Sequence, residues 1–486
     1  MEHVQDLDVE AIKKKTVRGT MAYFATTLFL NLVSLVANFF LMAYFSPADF
    51  GIYGFVMQIN GLLTFFSDVG LASSLIQRKE KPDKKDYQTA FWTQHILGWL
   101  IFGVTFLITR TNFIDQNVGA AGNWILLSIG LSFPLITLKT IPAIKLTRKM
   151  NFSKLVIPQI GEQLVFNAVL IGLAVNNVGA VAYAAAILAR AIVGVIIIGL
   201  IQPFWPQLMF DLKSFRQTIK FGLKFQANDL LARIKDNFFF LVVGIMTGPT
   251  NFGYISWAKQ WSMYPYNLTV QNIMNITFPT FSRLQTHHDL LKKAIEKSLF
   301  FITLIIFPLI TGMCLFITPL TVVFPQYAKW QSAIPSFILF TLSIAMAAMS
   351  SPLTNALNAI GQINKTLKLM VLWTVLTWGV TFPLMHIFGF NGVALSAMLI
   401  SLTSFLPYFI LRKTVKVKVW EQVWRQGLAS VVMAVAVLVS WPLWSRGINW
   451  MLLGGAGSVM VYGMTILLLG KNKIAQELQA IRGKKS

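Results

Sequence analysis

A single cysteine, Cys314, occurs in 486 residues, so no internal disulfide can form, and its place in an apolar run marks it as a small core residue. Charge is scarce too: charged residues make up 12% of the chain against 55% hydrophobic ones, with a mean hydropathy of +0.63. A soluble chain of this length would be expected to split into several domains. This composition instead describes a polytopic membrane protein. Acid is the rarer charge, 18 Asp and Glu against 41 Lys and Arg, for a net +23. The basic residues recur in short loops rather than in one patch, so nucleic acid is not expected as a partner and anionic membrane lipids are.

Enzymatic signatures are missing as well. No P-loop, paired nucleotide domain or nucleophile elbow is present, so neither ATP hydrolysis nor a cofactor is expected and the chain does not read as an enzyme. The cluster His287-His288-Asp289 has no fourth ligand at helical or finger spacing, and no metal site is expected. His95 and His386 read as packing residues of their spans. Before the first apolar run stand Lys13, Lys14, Lys15 and Arg18, with no small-residue cleavage site, which reads as an uncleaved first span.

What is present is a series of apolar runs of about 20 residues, the length that crosses a hydrocarbon core of about 30 Å. Fourteen are counted, roughly 19–45, 51–76, 89–110, 122–142, 155–175, 179–202, 221–247, 252–276, 295–317, 332–356, 367–388, 392–411, 427–446 and 450–470. The expected fold is therefore all-α, with about 14 transmembrane helices. If the N-terminus is cytoplasmic, 34 of the 41 Lys and Arg fall on the inner side, counting the group 139–154 as an inner loop. The positive-inside rule then places both termini in the cytoplasm. Trp99, Trp124, Trp441 and Trp450 near span ends read as interfacial anchors, and the tail from Lys471 as a short helix on the inner surface.

A repeat is visible at an offset of 202: Pro47, Phe50 and Gly51 of SPADFGIYGF match Pro249, Phe252 and Gly253 of GPTNFGYISW. Six spans, an even number, separate the copies, which implies a parallel repeat about an axis along the membrane normal. The expected division is an N-terminal lobe over 1–203, a C-terminal lobe over 204–412, and an appendage over 413–486 carrying the last two spans and the tail.

Candidate functional groups follow from the cost of charge in hydrocarbon, about 2.5–3.5 kcal/mol each at a helix centre on insertion scales. From Asn237 to Met246 the uncharged part of the seventh span is only 10 residues, about 15 Å. Arg233, Lys235, Asp229 and Asp236 just before it must therefore lie partly at membrane depth. Asp229, Arg233 and Asp236, at i, i+4 and i+7, would form a charge ladder on one face. Lys259 in the eighth span and Arg190 in the sixth are further candidates to bind an anionic substrate. In the first span Thr27, Asn31, Ser34 and Asn38 share a face, and in the second Asn60, Thr64 and Asp68 do. With Glu162 of the fifth, Asp229, Asp236 and Asp68 could balance charge or couple an ion. The alternative for the charges of the seventh span and Lys259 is an ion pair locking two helices, for Arg190 snorkelling, for Asp68 and Glu162 a structural role, and for every Asn, Ser or Thr an interhelical hydrogen bond. On this reading the opening helix of the first lobe is polar and neutral, while that of the second carries the charge.

Three stretches carry a family resemblance over roughly residues 15 to 415: Gly70 to Glu80, GLASSLIQRKE; Thr277 to Gln285, TFPTFSRLQ; and Asp236 followed by Val243-Gly244 and Phe252-Gly253-Tyr254. They resemble the polysaccharide transporter (Wzx-like) family of the multidrug/oligosaccharidyl-lipid/polysaccharide flippase superfamily, its colanic-acid and teichuronic-acid exporter branch above all. Lys235 and Lys259 fall outside that family's pattern. The resemblance implies transport of undecaprenyl-diphosphate-linked oligosaccharide across the bacterial cytoplasmic membrane by alternating access. Such work serves polysaccharide or lipopolysaccharide biosynthesis alongside polysaccharide-assembly proteins. Export of another lipid or a drug-like solute, a membrane-embedded glycan polymerase or ligase, and a non-transporting lipid-sugar scaffold are the competing readings.

Overall fold

The computed structural model describes residues 9–67, 71–77, 82–212, 215–216, 233–444 and 446–482, except for the side chains of 9–25, 72–73, 77, 234–235 and 471–482. The described residues form helices and short connections, with no strand among them, as the apolar runs predict. Among the described residues thirteen helices are long and apolar enough to cross a membrane. The count is consistent with about fourteen spans, because Phe239–Leu268 is continuous only nominally: Gly248, at φ +71° and ψ 172°, breaks it where the sequence separates spans seven and eight.

The chain packs as two compact units, Met1–Gly253 and Tyr254–Ser486. The first contains α1 (Val9–Tyr44), α2 (Pro47–Ser67), α3 (Leu71–Gln77), α4 (Lys84–Arg110), α5 (Phe113–Arg148), α6 (Phe152–Val175) and α7 (Ala182–Ile201). It also holds the start of α8 (Phe239–Leu268), after a π-type turn at Ile234–Phe238. Helix α4 shows the inverted logic of a membrane protein: Ile96, Leu100, Val104 and Leu107 are exposed, while Thr89, Thr93, Gln94 and Thr105 are buried. Lipid takes the apolar ridge, and helix neighbours take the polar one. Beyond α7 an extended strap is clipped to α4. The Gln88 side chain donates to the Trp205 carbonyl (3.1 Å) and accepts from Gln207 N (2.9 Å), and the Trp92 indole donates to the Gln207 carbonyl at 2.8 Å. These side chains replace the helix or sheet partners that an extended backbone lacks.

The second unit holds the rest of α8, then α9 (Val270–Arg283), α10 (His288–Val323), α11 (Ile334–Ala359), α12 (Ile363–Phe388), α13 (Asn391–Ser401), α14 (Leu406–Leu411), α15 (Val419–Val439), α16 (Trp441–Trp444) and α17 (Ile448–Arg482). One core lies between α10 and α11, around Ile302, Ile306 and Ala348; another joins Met433 of α15 to Tyr462 of α17. Trp257 and Trp330, both fully buried, stack at 5.1 Å. The tail after Lys471 is helical, as an unbroken continuation of the last span in α17.

The two repeat copies pack on one another through residues that belong to the first unit. A Cβ on Gly51 would overlap the Pro249 carbonyl oxygen, and a Cβ on Gly253 would overlap that of Pro47. Each glycine thus seats the proline carbonyl of the other copy, a contact no side chain allows. Phe55 and Phe252 meet edge-on beside it at 6.5 Å. The first copy is further braced by a capping box, with Asp49 N donating to Ser46 Oγ (3.2 Å) and Ser46 N to Asp49 Oδ2 (2.8 Å). The other carboxylate oxygen of Asp49 accepts from Ala180 N at 2.8 Å and ties the start of α2 to the turn before α7. Gly51→Ala or Gly253→Ala should cost about 1–3 kcal/mol through overpacking. Gly103→Ala, where a Cβ meets nothing within 4 Å, should stay within about 0.5 kcal/mol. Thermal unfolding in detergent checks this, and equal stability of all three variants would remove the contact.

Candidate functional site

A cavity of about 410 Å³ opens within the first unit between α2, α4, α5, α6 and α7. Its charged wall residues are Lys139 of α5, Glu162 of α6 and Arg190 of α7. Lys139 Nζ donates to Glu162 Oε1 at 2.6 Å, with the two side chains only 17% and 12% exposed. Arg190 Nε stands 3.7 Å from Glu162 Oε2, is 49% exposed, and has its guanidinium 5.8 Å from the Phe166 ring centre. Two cations on one carboxylate leave the described wall with a net positive charge.

Local sequence explains how these groups meet. Helix α7 buries a small-residue face of Ala184, Ala191 and Gly194, which lets neighbouring helices approach closely. Gly194, one turn after Arg190, is the decisive member, because a Cβ there would overlap the Glu162 carboxylate. Across the cavity Thr64 Oγ1 donates to the Asn60 carbonyl (2.7 Å) and Ser67 Oγ to that of Thr64 (2.9 Å), so their lone pairs face the opening. Asn60 Nδ2 has only Met57 Sδ, at 4.0 Å, as a partner among the described residues. Thr137 donates to the Pro134 carbonyl and accepts from His95 Nδ1 at 2.8 Å; His95 Nε2 accepts from the Trp99 indole at 3.1 Å. Those two bonds hold the imidazole as a neutral Nδ1–H tautomer, a satisfied packing residue. The arrangement can bind an anion bearing hydroxyl groups: two cations supply charge, and the α2 face supplies hydrogen bonds.

The structure distributes the sequence candidates unevenly. Arg190 and Glu162 come together on the cavity wall with Asn60 and Thr64. Asn31 and Asn38 are not on that wall. Asn38 Nδ2 donates to the Ser34 carbonyl at 2.8 Å, and Gln163 Nε2 of α6 donates to Ser34 Oγ at 3.1 Å, a bond that joins α6 to α1. Arg233 Nη1 donates to the Gly61 carbonyl on α2, and Asn237 fits beside it because Gly61 lacks a Cβ. Asp236 is exposed, and the π-type turn at Ile234–Phe238 interrupts the regular helix that the i, i+4, i+7 ladder assumes. Asp229, Asp68 and the Lys235 side chain lie outside the described residues. Lys259 belongs to the second unit. Lys139 is the functional group that sequence reasoning missed, because it was counted with the inner loop 139–154. The apolar positions that continue past it, Ile141, Ile144 and Leu146, all buried in α5, are the signal that it lies inside a helix.

Comparison with known proteins gives concordant matches. The model of a family described as polysaccharide biosynthesis protein matches residues 41–335. The chain is 23% identical over 420 residues to the lipopolysaccharide biosynthesis protein WzxC of Escherichia coli (strain K12), covering 83% of this chain and 82% of that protein. It is 20% identical over 318 residues to the succinoglycan biosynthesis transport protein ExoT of Rhizobium meliloti (strain 1021), covering 65% and 64% respectively. Among solved structures its fold is similar to the lipid II flippase MurJ in an inward closed conformation, with a TM-score of 0.75 at 14% identity over 94% of this chain and 100% of that one. An inward-facing multidrug resistance MATE family transporter of the MOP superfamily shares the fold at a TM-score of 0.60 and 14% identity, over 80% and 96%.

Glu162→Gln should destabilise the protein by about 3–5 kcal/mol, since it leaves Lys139 at depth without a counter-charge. Adding Lys139→Met should recover most of that loss. Melting temperatures of the single and double variants measure it, and a double variant no more stable than Glu162→Gln would break the proposed coupling.

Proposed function

The chain belongs to this family of polysaccharide biosynthesis proteins, and from that premise we propose that it is a flippase carrying a lipid-linked oligosaccharide across the bacterial cytoplasmic membrane. The observation that carries the reading is the pair Lys139 and Arg190 set on Glu162 in a cavity wall. A diphosphate-linked sugar presents negative charge to balance the excess cation of the described wall, together with hydroxyls for Asn60 and Thr64. Glu162 stands in for that charge when the cavity is empty. Arg190, the more exposed and more distant of its two partners, exchanges to the incoming diphosphate, while Lys139 stays with the carboxylate. Such an exchange lets the site bind and release without leaving a bare charge in hydrocarbon. Coupling to an ion gradient would act through Glu162 on this scheme.

Alternating access would move the two lobes, 1–203 and 204–412, with 413–486 as the appendage. The contact of Gly51 and Gly253 with the opposite prolines is read as the outer seal, broken when the cavity opens outward. The orientation proposed has both termini in the cytoplasm, with the loops of Lys and Arg on anionic headgroups and polysaccharide-assembly proteins supplying the substrate. Arg233, Lys235 and Lys259 remain candidates to extend the cationic lining, Asn31 and Asn38 to offer hydrogen bonds, and Asp229, Asp236 and Asp68 to balance charge. Export of a drug-like solute is the second reading, favoured by the MATE-like fold. A net positive wall disfavours cationic drugs.

Losing one charge-assisted hydrogen bond of about 1.5–3 kcal/mol translates to roughly 10- to 100-fold in rate or affinity. Arg190→Gln should therefore slow leaflet translocation of a lipid-linked oligosaccharide by that factor in vesicles containing only this protein, with Arg190→Lys retaining part of the activity. Wild-type rates in Arg190→Gln at equal protein levels would sink the assignment.

A further inference from the structure

A groove of about 680 Å³ lies in the second unit between α11, the stretch 402–411 and α15. Met346, Met349, Phe405, Trp424 and Val431 make its walls, all hydrocarbon or aromatic. Its floor along α15 runs from Val419 to Val431, about 18 Å at roughly 1.5 Å per residue. That is a little more than half of a hydrocarbon core of about 30 Å. The groove therefore has the depth of one leaflet.

Its two ends differ in chemistry. One is apolar, continuing into the exposed Val432, Val435 and Leu438 of α15. The other meets the segment that enters α15, with Arg412, Lys413, Lys416 and Lys418 all exposed. Trp420, 77% exposed, stands at this rim, where an indole suits the headgroup boundary. On the flank of α15, outside the groove lining, the Arg425 guanidinium lies 4.9 Å over the Trp424 ring, with Nη1 3.5 Å from the Glu421 carbonyl. Two carboxylates face this end: Glu421 takes Lys418 Nζ at 2.7 Å, and Glu296 accepts from Lys418 N at 2.9 Å. Both meet Lys418, so Arg412, Lys413 and Lys416 set the charge of the mouth.

We propose that this groove is a binding site for an anionic glycerophospholipid of the leaflet whose headgroups meet residues 412–418. Its acyl chains lie along α15 from Val419, and its phosphate lies against the basic segment 412–418. Charge complementarity and depth together select this occupant. A zwitterionic lipid brings no net charge to the three cations, and a polyprenyl chain that runs through both leaflets does not end where this groove ends. The site is separate from the transport reading and does not depend on it.

Native mass spectrometry of the full-length protein, stripped of lipid and then offered phosphatidylglycerol, phosphatidylcholine or undecaprenyl phosphate, tests the site. Phosphatidylglycerol should be retained at least tenfold better than phosphatidylcholine. Lys413→Gln combined with Lys416→Gln should erase that preference. Gly427→Leu fills the groove, since a Cβ at Gly427 meets only the Phe307 ring at an ordinary 3.8 Å, and should lower retention of both phospholipids; Leu428→Trp, at an exposed wall position, repeats the test if Gly427→Leu does not fold. Equal retention of the two phospholipids, unchanged retention in the groove-filling variants, or preferential capture of undecaprenyl phosphate would each overturn the proposal.

Discussion

In hydrocarbon a charge persists only where it meets its opposite, and Glu162 satisfies that constraint with two cations. Its carboxylate receives Lys139 from one helix and faces Arg190 on another, so α5, α6 and α7 are held in one relative position by a group that is also the wall of a cavity. The small face of α7 follows from the same requirement. With anything larger than hydrogen at Gly194, the carboxylate would be pushed away from the cations that stabilise it.

The repeat adds a second constraint of a different kind. Gly51 and Gly253 were recognisable only as matching letters at an offset of 202; in three dimensions each is the seat of the other's proline carbonyl. The contact is steric and carries no charge, so it can separate without exposing an unpaired ion. An ion pair locks, whereas a close fit of backbone on backbone releases cheaply once water replaces it.

Much of the fold was legible because its signal is local. Length and hydropathy mark a span wherever it lies, and a proline marks the breaks at Ser46–Pro47 and Gly248–Pro249. Candidate residues were legible as a class for the same reason: Arg190 and Glu162 stand out as charges among apolar neighbours. Their partnership was not, since Lys139, Glu162 and Arg190 sit in three different spans and no spacing rule links them. The loop count even drew Lys139 to the wrong side, because a lysine near a helix end looks the same whether it snorkels or turns inward to a carboxylate. Emphasis shifted in consequence. The sequence reading gave the seventh span the charge, while the described cavity draws its charge from spans four to six.

By itself the sequence determined that this chain lives in a membrane and about how many times it is able to cross; both follow from free energies that add residue by residue along the chain. Tertiary structure alone decided which charge meets which, that Gly194 clears the space for Glu162, and that Gln163 ties Ser34 into a helix contact away from the cavity wall. Those outcomes depend on distances of a few ångströms between residues far apart in the chain, where the energy of a charge changes sign with its neighbour.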